Sequence, residues 1–495
     1  MQAYVLALDQ GTTSSRAILF DRKGQTVASH QQELTQIYPQ PGWVEHDPLE
    51  IWETQLSAAR ETIRKAGIDA GQVAAIGIAN QRETLVVWER KTGTPVYNAI
   101  VWQCRRSSDI CTELKAKGLE TVITAKTGLL LDPYFSGTKL KWLLDQQPEL
   151  RHRAGNGELC CGTVDSWLLF NLTGGHRTDP SNASRTLLYN IHTGDWDDEL
   201  LQLLDVPRSL LPEIVSSCGD FGRIRPELLG SDIPVRGVAG DQQAALFGQA
   251  CFHEGAAKNT YGTGCFTLLN TGSKPVISRN RLLTTVAWDL GQGLEYALEG
   301  SVFIAGAVVQ WLRDQLQILE TAPDSERLAR SVDDSGGVYF VPALAGLGAP
   351  YWDAQTRGTV LGITGGTGRA HLTRAALESI AFQTRDLIDA LEKDSGVKIP
   401  RLKVDGGASL NGFLMQFQAD ILGIPVHLTG TADTTALGAA YLAGLHAGYW
   451  SGLEDIERNW NLKKSYEPEM DAQRRRSLLS GWAKAVQTAR TFRVE

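Results

Sequence analysis

Short apolar runs alternate with clusters of glycine, hydroxyl and charged residues from the N-terminus onward. The first three runs, about 3–9, 15–20 and 25–32, predict consecutive strands joined by a turn at Gly11 and by "DRKG" at Asp21 to Gly24. A helix follows in "DPLEIWETQLSAARETIRKAG", with Asp47 as N-cap, Pro48 at the first helical position, Glu50 closing a capping box and Gly67 ending it. Trp52, Leu56, Ala59 and Ile63 recur at helical spacing and predict the face that packs on a sheet. The apolar stretch "VAAIGIA" is the next strand, and strands and helices go on alternating, which is an α/β pattern.

The pattern also repeats. "DQGTTSSRAILFDRKG" near the start and "YGTGCFTLLNTGSKP" at 261–275 share one order: apolar strand, Gly-Thr turn, apolar strand, second turn. Gly11-Thr12 and Gly262-Thr263 stand 251 positions apart, about half the chain. The expectation is two related domains, 1–250 and 251–495, dividing after the helix "QQAALFGQACF", each pointing a glycine hairpin at whatever lies between them. A third glycine turn runs from a strand at 402–405 through Gly406-Gly407 into a helix starting near Asn411. Such turns let backbone N–H groups approach an anion, and three of them suggest a nucleotide phosphate tail. Neither G-x-x-x-x-G-K-[ST] nor G-x-G-x-x-G occurs, so phosphate binding by hairpins is the reading.

Composition narrows this further. A chain of 495 residues with 42 % apolar and 21 % charged residues is expected to form two or three globular domains. Its net charge of −8 argues against a nucleic-acid partner, whose affinity rests on clustered Lys and Arg. Seven cysteines with no C-x-x-C read as reduced thiols in a cytoplasmic protein. No signal peptide and no membrane span are expected, and no H-x-x-x-H pair suggests a histidine-built metal site.

Asp9 ends the first strand at the hairpin, where a carboxylate can hold Mg²⁺ alongside phosphates or simply bond its own turn. Thr12, Thr13, Ser14 and Arg16 offer donors and positive charge, or form a polar hairpin tip. Asp241 follows a strand and a glycine at a helix start; it reads as an N-cap or as a general base for a hydroxyl that receives a phosphoryl group. Arg82 and Glu83 are adjacent and would face opposite sides of a regular strand, so they meet one ligand only if the chain bends; otherwise they are surface charge. Trp102, Tyr134 and Phe135 are core aromatics or apolar walls for the carbons of a polyol.

With these segments in view, the chain resembles the FGGY carbohydrate kinases along nearly its whole length. "ALDQGTTSSRA", "NQRET", "VWQCRR", "DPYFSGTKLKW", "AGDQQAALFGQ", "NTYGTGCF", "GLGAPYWD", "ALESIAFQTRD" and "VDGGAS" stand in that family's order. The resemblance implies two similar actin/hexokinase-like (ribonuclease H-like) ATPase domains facing a central cleft, and transfer of the ATP γ-phosphoryl to glycerol. It implies that Arg82, Glu83, Tyr134 and Asp241 bind the glycerol hydroxyls with help from Gln242, and that Trp102 and Phe266 wall the carbons. Asp241 would be the catalytic base and Asp9 the Mg²⁺ carboxylate. Thr12, Thr13, Ser14 and Arg16 match the first phosphate hairpin, Gly262 and Thr263 the second, and Gly306, Gln310, Gly407 and Asn411 the positions holding ADP and the adenosine.

The resemblance also implies a homodimer or homotetramer. Some bacterial members carry a glycine-rich basic loop for fructose 1,6-bisphosphate, or a phosphorylated histidine. Here the stretch before "AGDQ" is "ELLGSDIPVRG", with Asp232 and without histidine, so neither control is expected. The alternatives are an FGGY kinase for a ketose, pentitol or gluconate, and a chaperone or filament ATPase of the same superfamily. Only Arg82, Glu83, Trp102 and Tyr134 separate these, and they favour a small polyol.

Overall fold

The computed structural model describes residues 3–492. The three N-terminal strands form as expected: β1 (Tyr4–Gln10), β2 (Ser14–Phe20) and β3 (Thr26–Glu33). Helix α1 (Pro48–Ala66) starts at Asp47, whose carboxylate accepts from the Leu49 amide, and ends at Gly67 in the left-handed conformation. Two details differ from the sequence reading. Glu50 closes no capping box; its Oε1 instead accepts from the amide and hydroxyl of Thr35, because the chain leaving β3 passes over the helix start. The buried face of α1 is also rotated. Ile51, Thr54, Gln55, Ala58, Ala59 and Thr62 are buried, while Trp52, Leu56 and Ile63 are half-buried at its flank. The reason is hydrogen bonding: Thr54 meets the Ser15 hydroxyl, and Gln55 and Thr62 donate to the Arg16 and Ala17 carbonyls of β2.

Strands β4 (Val73–Asn80) and β5 (Val235–Gly240) complete a first sheet of order β5-β4-β1-β2-β3. A helix lying between them in sequence, α2 (Ser136–Gln146), lines the region beyond β4, and α3 (Asp241–Gly248) follows β5 directly. The second half begins with β6 (Ala257–Tyr261), β7 (Cys265–Gly272), β8 (Leu283–Asp289) and β9 (Leu294–Val302), then helix α4 (Gly306–Asp314). It continues through β10 (Leu402–Asp405), α5 (Gly412–Leu422), β11 (Val426–Thr429), α6 (Thr434–His446) and β12 (Leu462–Tyr466). The second sheet has the order β8-β9-β7-β6-β10-β11-β12.

The two sheets share one plan. In the first, β1 pairs antiparallel with β2, β2 antiparallel with β3, β1 parallel with β4, and β4 parallel with β5. In the second, β6, β7, β9, β10 and β11 repeat these pairings in the same order and sense. The Gly-Thr repeat therefore marks the same corner of two equivalent sheets. A third element unites the halves. Helix α6, from the second half, packs on the first sheet and crosses α3 at backbone contact. A Cβ added to Gly438 would stand 1.8 Å from the Ala244 carbonyl oxygen, and one on Gly77 would stand 2.1 Å from that of Ala439. One apolar cluster joins Val5, Ala7 and Phe20 to Ala436, Ala440 and Tyr441 across this contact.

Candidate active site

The first hairpin turns between Asp9 and Arg16, which face each other in register across β1 and β2. The Gly11 amide donates to the Ser14 carbonyl at 2.9 Å, closing the turn. Arg16 places one guanidinium arm on Asp9 Oδ2 at 2.7 Å and the other on Asp433 Oδ1 at 2.5 Å. Burial raises the Asp9 carboxyl above its usual range; Arg16 opposes this, and nearby Asp241 and Asp433 add to it. Thr13 is exposed at the tip, with Thr12 and Ser14 half-buried. Below the hairpin, Gln36 donates to the Thr12 carbonyl and accepts at Oε1 from the buried His46.

The second hairpin closes through the Gly262 amide and the Gly264 carbonyl at 2.9 Å. Its tip backs onto the start of α4, where Ala305 and Ala307 donate to the Thr263 carbonyl and Gly306 donates to that of Gly262. A Cβ on Gly306 would lie 2.6 Å from the Gly262 oxygen, and one on Gly406, at φ 88°, would lie 2.4 Å from the Tyr261 oxygen. Only glycine lets these three turns converge. Gly407 faces open space, Gln310 is exposed one turn along α4, and Asn411 caps α5 by accepting from the Leu414 amide while donating to Ser325.

Arg82 and Glu83 lie just beyond β4 and are buried, so they are not surface charge. The chain does bend there: Glu83 has φ 61°, in the left-handed region. Its carbonyl is held by two donors from α2, the Ser136 hydroxyl at 3.0 Å and the Lys139 ammonium at 3.1 Å. Lys139 also donates to the Tyr134 carbonyl at 2.6 Å, and burial pushes its ammonium down to about 7. Arg82 aims Nε at Asp241 Oδ1 at 3.2 Å and Nη1 at Glu299 Oε2 at 2.5 Å. A second buried guanidinium, Arg185, donates from Nε to Glu83 Oε1 at 2.6 Å and from Nη2 to Glu299 Oε1 at 3.1 Å; its Nη1 is buried without a partner in the protein. Burial pushes Glu299 up, but Arg185 and Arg82 outweigh it and hold the carboxyl down to about 2.

Asp241 is the first residue of α3; the N-cap is Gly240, so the capping alternative fails by one position. Its Oδ1 accepts from the Gln242 amide at 2.8 Å, and its side chain is 34 % exposed, unlike those of Arg82, Glu83, Arg185 and Glu299. Gln242 Oε1 accepts from the buried Lys258, whose ammonium burial pushes down to about 8. Trp102 donates from its indole to Thr12 Oγ1 at 2.8 Å and stands edge-on to Tyr134, with ring centroids 5.5 Å apart. Phe266 is half-buried on β7 opposite Ser301, which puts it on the same sheet face as Glu299 two residues away on β9. The sequence-derived residues thus fall into two connected groups. Asp9, Thr12, Arg16, Arg82, Glu83, Trp102, Tyr134, Asp241 and Gln242 form one; Gly262, Thr263 and Gly306, beside the Gly406-Gly407 turn, form the other.

Sequence reasoning missed Arg185, Glu299, Lys139, Lys258 and Asp433. Glu299 left one trace, a carboxylate inside the apolar strand "LEYALEGSV"; the others sit in stretches that carry no such signal. Among the described residues, no group of three or more His, Cys, Asp or Glu could hold a metal, and no helix is long and apolar enough to cross a membrane.

Comparison with known proteins fits this two-sheet plan. Residues 4–248 match the N-terminal domain, and residues 257–447 the C-terminal domain, of the FGGY family of carbohydrate kinases. The chain belongs to that family. It is 60 % identical over 496 residues to a glycerol kinase of Symbiobacterium thermophilum, covering all of both chains. It is 58 % identical over 485 residues to glycerol kinase 2 of Thermotoga maritima, covering 98 % of each. Among solved structures it is similar to Plasmodium falciparum glycerol kinase with ADP, at a TM-score of 0.94 and 38 % identity, and to a Lactobacillus acidophilus gluconate kinase at 0.88 and 25 %, each over 98 % of both chains.

Proposed function

We infer that the protein transfers the γ-phosphoryl group of ATP to glycerol, giving sn-glycerol 3-phosphate and ADP. The observation that carries the reading is Asp241: a carboxylate 34 % exposed, held by the buried Arg82 and adjacent to Gln242, which bonds Lys258 of the second sheet. Full-length relatives at 58–60 % identity are named glycerol kinase, whereas the gluconate kinase stands at 25 %, which favours glycerol over a sugar acid.

In this reading Arg82, Glu83 and Tyr134 hold the glycerol hydroxyls, Gln242 assists, and Trp102 and Phe266 enclose the carbons. A terminal hydroxyl oxygen attacks the γ-phosphorus in line, the bond to the bridging oxygen of ADP breaks, and the hydroxyl proton passes to Asp241. No phosphoenzyme is needed, and positioning with charge neutralisation supplies most of the acceleration. Thr12, Thr13, Ser14 and Arg16 meet the phosphates from one side and Gly262 and Thr263 from the other, with Gly306, Gln310, Gly407 and Asn411 around the nucleotide. For Asn411 this role falls to atoms not already spent on capping α5.

Asp9 suits Mg²⁺: it is a buried carboxylate crowded by two further acids and balanced by one guanidinium, and Mg²⁺ on phosphates needs only one or two protein carboxylates. When bound there, the ion would neutralise phosphate charge. Seven unpaired thiols support work in the cytoplasm, and a homodimer or homotetramer is expected. The test is ADP release with Mg²⁺ and a panel of glycerol, dihydroxyacetone, xylulose, ribulose and gluconate. Turnover driven by glycerol far above the rest sustains the reading; turnover following a ketose or sugar acid sinks the glycerol assignment.

A further inference from the structure

We propose that Glu299 and Arg185 are positioning residues of the acceptor site, and that Glu299 makes acceptor recognition depend on the second sheet. The inference rests on the acceptor reading above and deepens it. The first half of the chain brings Arg82, Arg185 and Glu83 together, two cations and one anion, all buried. Asp241 of the same half also meets Arg82 but is 34 % exposed, so only one fully buried acid of this half stands against two buried guanidiniums, an imbalance that low-dielectric surroundings penalise. The missing charge arrives from the other half, on β9.

Glu299 is fully buried, and its two oxygens are divided among the guanidiniums. Oε2 takes Arg82 Nη1 at 2.5 Å, while Oε1 takes Arg82 Nη2 and Arg185 Nη2, each at 3.1 Å. Arg185 in turn takes Glu83 Oε1 at 2.6 Å, and Arg82 Nε lies 3.9 Å from that same oxygen. Four alternating charges thus close a ring.

Two orientations follow from this ring. With both Nη arms of Arg82 drawn to Glu299, the remaining donor, Nε, points at Asp241. With Oε1 of Glu83 occupied by Arg185, Oε2 is the oxygen left to accept from a substrate hydroxyl. The rings of Tyr134 and Phe135 pack against the Arg185 guanidinium at 5.7 and 5.3 Å, so the same arginine also sets the aromatic side of the pocket. Lys258 and Asp9, the other charged groups that face Asp241, belong to β6 and β1 and make none of these bonds.

The experiment compares wild type, Glu299→Gln and Arg185→Lys by steady-state kinetics with glycerol and ATP varied separately, and by calorimetric titration of ADP. The expected result is a glycerol KM raised tenfold or more in both variants, with the ATP KM and the ADP affinity within twofold of wild type. Glu299→Asp, which restores the charge, should recover part of the loss. A glycerol KM within twofold of wild type, with only kcat or thermal stability reduced, would mean a purely structural ring and overturns the proposal. If Glu299→Gln does not yield folded protein, Arg185→Lys decides by the same criterion. If wild type itself ignores glycerol, the functional reading fails, and the KM ratios are then measured on the acceptor it does use, so the two claims are judged separately.

Discussion

Arg16 on β2 and Asp433 at the threshold of α6 are joined at 2.5 Å across 417 positions of sequence. The first hairpin is therefore tied to the second half of the chain by the residue that, in the proposed function, meets phosphate. The two side chains are 28 % and 25 % exposed, so the pair is worth about 1 kcal/mol or less. A triphosphate competes with Asp433 for this arm. Asp433→Asn should lower the ATP KM, by up to about fivefold for 1 kcal/mol, and Arg16→Gln should raise it; initial rates with varied ATP check both directions.

Asp9 is the carboxylate of the first hairpin, bonded to Arg16, which it shares with Asp433. Asp9→Asn should raise the Mg²⁺ concentration for half-maximal rate by about tenfold or more, since outer ligands of such an ion come from phosphate and water. An unchanged Mg²⁺ titration would remove Asp9 from the metal site.

Asp241→Asn keeps the shape of the side chain and removes its basicity. Turnover should drop by about 10²–10⁴, while ADP binding, measured by calorimetry, stays within twofold.

Two buried histidines set an acid limit on stability. Burial pushes both His46 and His176 down to about 4, where each ring nitrogen bonds an acceptor, Gln36 Oε1 and the Cys161 carbonyl respectively. Between pH 4 and the ordinary value of 6.5 the unfolded chain binds more protons than the folded one, so stability rises with pH through this window. The contribution is complete above about pH 6.5 and is lost as pH falls to about 4, with up to about 3 kcal/mol for each histidine. Urea midpoints at pH 4.5 and 7 should differ less in the His46→Gln/His176→Gln double variant than in wild type.

The crossing of α3 and α6 leaves no room for a methyl group. Gly438→Ala would set a Cβ 1.8 Å from a backbone oxygen and should cost about 3 kcal/mol or more. Gly407→Ala meets nothing within 4 Å, so its melting temperature should stay near wild type while its ATP KM rises. A scanning-calorimetry comparison of the two separates a packing glycine from a binding one.

What the sequence by itself determined is what depends on neighbours in the chain. The hairpin at Gly11, its echo at Gly262, the start of α1 at Asp47 and its stop at Gly67 are all written in residues a few positions apart, because strand alternation, turn chemistry and capping act over that range. Tertiary structure decided the rest. Glu50 turned to Thr35 instead of a capping box because the chain leaving β3 brings an amide and a hydroxyl onto its carboxylate, and α1 buried Thr54 and Gln55 because β2 offered them partners. The left-handed bend at Glu83 needed Ser136 and Lys139, 53 and 56 residues away, to hold its carbonyl. Glu299 reached Arg82 over 217 residues because the fold sets β9 beside the bend after β4, and a buried charge takes its partner from whichever strand lies within hydrogen-bond reach, however far along the chain.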